Sequence, residues 1–352
     1  MPRAFVLFLI AVLLFRSCVV AADSKDQFKT WYQEFGPTFE AIMEGNCSTE
    51  YEKYLTVPKK DAPIDWFTGG GNTNRLAQPV ANCILGHTSD YILSNMAAAA
   101  VVLGLMPTIL AMVGNSVEET STLCVIGQRP LLSLMLAAGS PAIFPIRSFE
   151  YVKPMKLVKP RRYRLRATLA SKASRKAVLV IEYLFAVAII VNTYTLSNQL
   201  GVMVVSMLAP QLTYLEFLWS IIGVAIHLSA AFSLWARTRI TSGTRLEYIQ
   251  EILWQQFRPL DHHVWNKAEI KDEDTYLSMA LSYFTSLLGT CHVIYGSMLF
   301  SSLVFISATD SLTVLARYMG SAMASRIILM HELFWLRHIV GDRGTVWGHG
   351  YK

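Results

Sequence analysis

Residues 176–200 constrain this chain more than any other stretch. They read KAVLVIEYLFAVAIIVNTYTLSNQL, more than twenty residues of apolar length, enough for a helix to cross about 30 Å of hydrocarbon. One carboxylate, Glu182, interrupts the run. A charge at that depth must face protein or water rather than acyl chains. The segment therefore predicts a membrane helix packed among others.

The rest of the composition agrees. Hydrophobic residues make up 53% of the 352 and charged residues only 16%, against about 25% charged in ordinary soluble domains. The excess falls in discrete blocks, near 91–113, 123–146, 177–200, 212–235 and 277–308, with a more mixed helical stretch at 310–339. The fold class expected is all-α, a polytopic membrane helix bundle with a small lumenal N-terminal domain. The net charge of +6 comes mostly from residues 147–176, with eleven Lys and Arg against one acid, Glu150. Apolar blocks bracket this run, so it reads as a basic loop at a membrane surface and not as a nucleic-acid site.

Taken in order, residues 1–22 read as a signal peptide, with Arg3 ahead of an apolar core and Ala21-Ala22 at its end. Residues 23–90 form a lumenal or extracellular polar domain, ten acids against six bases. Cys47 and Cys83 lie in it and could form a disulfide in an oxidising lumen. Asn46-Cys47-Ser48 is a glycosylation sequon at Asn46. A first span follows at 91–113. The block at 123–146 is interrupted by Pro130, Gly139, Pro141 and Pro145. If it crossed fully, the basic loop would be lumenal, against the positive-inside tendency; a broken re-entrant hairpin, covered by protein, keeps the loop cytosolic. Residues 91–146 thus hold a span and a hairpin, and 177–341 a transmembrane bundle with a second cytosolic loop at 236–276. Residues 342–352 are a C-terminal tail.

Two helices carry polar seams. Glu216, Ser220, Gly223 and His227 share one face, and Ser278, Ser282, Thr285, Gly289, His292 and Gly296 share another. Such seams either pack helices closely or line a cavity. Glu182 either shares a proton with His227, at similar depth on the neighbouring helix, or simply snorkels or pairs with an arginine of the basic loop. Glu216 and Asp310 fall near span ends, and Arg326 with Glu332 could make a local charge pair. No GxSxG, HExxH, P-loop or GxGxxG tract is present, and no metal or cofactor is expected.

The tract NCILGHTSDYILSNMAAAAVVLGLMPTILAMVGNS at 82–116, followed by RPLLSLMLAAGSPA at 129–142, resembles a group of filamentous-fungal integral membrane proteins. This group includes or adjoins the transmembrane terpene cyclases of meroterpenoid pathways of the ascochlorin and macrophorin kind. The resemblance implies a multi-pass protein of the endomembrane system or plasma membrane that cyclises a hydrophobic prenylated substrate in secondary metabolism. Such an enzyme protonates a terminal alkene or epoxide and shelters the cation until a proton is lost. On this reading Glu182 is the first choice of acid, with Glu216 and Asp310 behind it, and His227 or His292 is the base. A transporter, or a non-catalytic receptor or scaffold, is the alternative.

Overall fold

A computed structural model describes residues 24–58, 75–141, 143, 172–236, 238–240, 268–270 and 276–342. Over these residues the fold is all-α. Its helices are α1 (Gly36–Gly45), α2 (Ser48–Thr56), α3 (Ala77–His87), α4 (Asp90–Val113), α5 (Val117–Val125), α6 (Pro130–Gly139), α7 (Lys172–Met203), α8 (Leu215–Ala236), α9 (Tyr276–Ser301) and α10 (Ala308–Asp342). Four short strands accompany them. β1 (Val205–Ser206) pairs antiparallel with β4 (Leu303–Val304), and β2 (Thr238–Ile240) with β3 (Ala268–Ile270). Ladders of two or three residues are too short to carry an alternating pattern, and the sequence did not announce them. The expected signal peptide and most of the basic loop, of the C-terminal tail and of the second cytosolic loop lie outside the described residues; the end of the basic loop, 172–176, is already helical in α7.

Among the described residues four helices are long and apolar enough to cross a membrane: α4, α7 from Lys176, α8 and α9. On α7 the residues Val180, Ile181, Leu184, Phe185, Val187 and Val191 are exposed. An unbroken apolar surface of that kind is unsuited to water and suits lipid. This is a membrane protein.

The block at 123–146 divides. α5 has 9 residues and α6 has 10, each about 15 Å long at 1.5 Å per residue, half of what a span requires. The break has local causes. Gln128 takes a positive φ of 53°, Arg129 is non-helical at φ −121° and ψ 63°, and Pro130 occupies the first turn of α6, where its missing N–H is harmless. One boundary differs from expectation: α9 stops at Ser301, not at 308. Beyond it come β4 and Phe305, whose φ of 69° no helix accommodates.

The chain divides into two compact units. Among the described residues, the first comprises 24–58, 75–109, 194–219 and 294–318. Its core holds Phe28, Phe39, Tyr54, Val80, Ile84 and Phe305, all nearly inaccessible. Phe305 meets Phe28, Trp31 and Phe39 edge-on, at centroid distances of 6.4, 5.5 and 5.3 Å, the geometry the ring quadrupole favours. Cys47 and Cys83 are joined in a disulfide, with Cα atoms 5.9 Å apart, tying the start of α2 to α3. Asn46, the sequon asparagine, is exposed beside it.

Among the described residues, the second unit comprises 110–141, 143, 172–193, 220–236, 238–240, 268–270, 276–293 and 319–342. Leu123, Leu132 and Leu136 of the broken pair pack with Ala186 and Ile189 of α7 and with Leu329, Leu333 and Leu336 of α10. Residues 182, 186 and 189 follow at steps of four and three, one helical face. Glu182 therefore sits on the stripe of α7 that meets α10. The broken pair is pinned by Asn115, whose Nδ2 donates to the Leu136 carbonyl at 3.2 Å and to Ser325 Oγ at 2.7 Å.

A buried charge cluster as candidate functional site

Glu182 is 6% exposed and belongs to a cluster drawn from three parts of the second unit. His331 of α10 places Nδ1 2.6 Å from Glu182 Oε1. Arg129, at the break before α6, donates from Nη1 to Glu332 Oε1 at 2.7 Å and lies 3.9 Å from Glu182 Oε2. Arg129 and Glu332 are each 3% exposed, whereas the His331 side chain is 37% exposed. Trp335, one turn further along α10, donates its indole N–H to His331 Nε2 at 2.9 Å. Tyr183 feels the charges of Arg129, Glu332 and Glu182 together. Glu332 Oε2 is buried with no hydrogen-bond donor on it. Burial pushes the Glu332 carboxyl above the usual carboxylate range, and the Arg129 guanidinium opposes that rise.

These partners correct two sequence expectations. Glu182 pairs with His331 and not with His227, because its face of α7 is turned to α10. Arg326 and Glu332 do not pair, since six residues along a helix point to different sides. Arg326 instead grips Glu119 through both guanidinium nitrogens, one contact being Nη2 to Oε1 at 3.0 Å. Glu119 in turn closes a capping box with Ser116 at the start of α5.

The two histidines of the polar seams lie elsewhere in the same unit. His227 Nδ1 is 2.7 Å from Thr120 Oγ1. His292 donates from Nε2 to the Pro141 carbonyl at 3.0 Å, since a carbonyl can only accept. Gly223 is packed against that same carbonyl, and a Cβ there would overlap it. We expect Gly223→Ala to destabilise the protein by about 1–3 kcal/mol, the usual penalty of overpacking. A lowered thermal midpoint in detergent would register it, whereas an unchanged midpoint would mean that the Pro141 carbonyl yields without penalty.

Glu216 and Asp310 belong to the first unit. Glu216 is 1% exposed, acts electrostatically on Tyr32 and Tyr295, and lies one turn before Trp219. The Trp219 ring meets Phe300 edge-on at 4.9 Å. Burial pushes the Tyr32 phenol well above its ordinary range, with Arg317 opposing. Asp310 has a structural task. Its carboxylate accepts from Ser307 Oγ at 2.9 Å while its own N–H donates back to that hydroxyl at 2.9 Å, which caps α10.

Sequence reasoning singled out Glu182 but missed Arg129, His331 and Trp335 as its companions. Among the described residues two groups have metal-ligand spacing, Cys47 with Cys83 and His87, and Glu182 with His331 and Glu332. In the first group both sulfurs are already joined to each other. No family model matches the chain, and no curated protein or solved structure matches it either.

Proposed function

We propose that this protein is a multi-pass membrane enzyme using acid–base chemistry on a hydrophobic prenylated substrate, the activity of the terpene cyclases its sequence resembles. The observation that carries the reading is the cluster around Glu182. Buried ionisable groups are expensive within a membrane protein and are retained there chiefly for function. A substrate dissolved in the bilayer would reach the protein through lipid. Protonation of its terminal alkene or epoxide opens a carbocation, the chain closes on it, and a neighbouring C–H returns the proton to a base. Substrate and product are then isomers, and no oxidant or metal enters. Glu182 remains the first choice of acid. With the basic run at 147–176 held cytosolic, Glu182 stands near the cytosolic end of its span.

A second reading is a proton-coupled transporter. The interruption between α5 and α6 favours it, because transporters place broken helices at their sites. One assay separates the two. Microsomes containing the protein are supplied with candidate prenylated substrates, and wild type is compared with Glu182→Gln. Cyclised product falling at least a hundredfold in the variant is the expected result, the range that loss of a general acid produces. Equal product from both proteins would remove Glu182 from the mechanism. An absence of product from every prenyl substrate would favour transport.

A further inference from the structure

We infer that Arg129, Glu182, His331 and Glu332 form a site for one exchangeable proton held between the two carboxyls, and that Trp335 keeps the site from binding a metal ion. As a step in catalysis this rests on the acid–base reading above; as a protonation state of the protein it does not.

Charge comes first. The cluster sets two carboxyls against one guanidinium, with Arg129, Glu182 and Glu332 all nearly inaccessible. Counted over the described residues, it then buries one uncompensated negative charge, which a low-dielectric interior strongly disfavours. One bound proton balances it. The hydrogen bonding says the same. Glu332 Oε2 is buried without a donor, although the ligand atoms of Glu182, His331 and Glu332 all lie within 4.8 Å of one another. Two ionised carboxylates only accept, so neither can satisfy the other. The Glu182 and Glu332 side chains stand in hydrogen-bond contact, and a proton on either one supplies the missing donor.

The same three residues have the spacing of a divalent-cation site, and the imidazole decides between the two ligands. The Trp335 indole can only donate, so His331 Nε2 is the acceptor of that bond. The ring proton is then on Nδ1, where it donates to Glu182 Oε1. A metal at Nδ1 would need a lone pair there and the ring proton moved to Nε2, facing the Trp335 N–H. Two donors would then oppose each other. Arg129 already supplies the cation that Glu332 requires. Among the described residues Tyr183 also lies in the field of the cluster, and as a neutral phenol it adds no charge. His331 is the exposed member, so it is the point at which the buried proton meets the surroundings. Trp335 is a positioning residue: it acts through His331.

The test uses the full chain in detergent. Infrared difference spectra between wild type and variants read protonated carboxyls near neutral pH. Glu182→Gln and Glu332→Gln should each remove the same single band, because either change leaves one carboxylate balanced by Arg129. The double variant should remove nothing more. A band lost in only one variant, or in neither, overturns the shared proton. Two measurements on wild type guard against variants that fail to fold. Nitrogen-15 spectra should place the His331 proton on Nδ1, and Zn²⁺ titration should show no binding that depends on this site. In Trp335→Phe the tautomer should shift toward Nε2–H. Stoichiometric Zn²⁺ binding by wild type that Glu182→Gln abolishes, or an Nε2–H tautomer in wild type, would refute the inference. A shared band together with unimpaired product formation by Glu182→Gln would keep the proton site and discard the enzyme reading.

Discussion

Replacing Arg129 with methionine should destabilise the protein by about 3–5 kcal/mol, the range found when one partner of a buried ion pair is removed and the other left behind. Arg129 is 3% exposed and donates to Glu332 at 2.7 Å, with Glu182 at 3.9 Å. Methionine fills much of the same volume, so the loss comes from two carboxyls abandoned by their cation. Thermal unfolding of the purified protein in detergent measures the effect. Adding Glu182→Gln with Glu332→Gln as a second change should recover part of the loss, because the one negative charge that the carboxyl pair keeps beside its shared proton is then gone. If the second change recovers nothing, Arg129 acts through packing and not through charge.

The second large effect is expected at the disulfide. Cys47 and Cys83 are separated by 36 residues. Opening a loop of that size releases about 4 kcal/mol of unfolded-state entropy on the chain-entropy model. The core that the bridge supports is small, built around Phe28, Phe39, Tyr54 and Phe305, and small cores have little stability to spare. Exchanging both cysteines for alanine, or reducing the native protein, should lower the unfolding midpoint of this unit by a similar amount. The two treatments agreeing is the signature. A midpoint unchanged by either would mean that the aromatic core holds without the bridge.

Much of the architecture could be read from the sequence because a membrane span is a long signal of one kind. The helices of residues 90–113, 176–203 and 215–236 are continuous apolar runs with polar ends, and the fold follows them closely. Pro130 and Gly139 likewise marked the block that does not continue as one helix. The charge cluster was legible at one point only. Glu182 stands out because it is the one acid in an apolar run, whereas His331 and Glu332 sit in a helix already mixed in charge, where nothing distinguishes them. Their partnership spans 149 residues for His331 and 203 for Arg129 with Glu332, distances that no local pattern encodes. One further signal was present. Arg129 is a lone cation between the apolar stretches VIG and PLLSLML, the counterpart of the lone acid at 182. Matching isolated opposite charges across apolar blocks would have proposed the pair.

The break before α6 also bears on how the chain is made. Translation delivers Arg129 first, Glu182 some fifty residues later, and His331 with Glu332 about 150 residues after that. Until Glu332 has been made the guanidinium therefore lacks its principal counter-ion. A continuous spanning helix would have carried that charge through the hydrocarbon alone. Two half-length helices do not require that, so α10, made some two hundred residues after Arg129, is the helix that neutralises it.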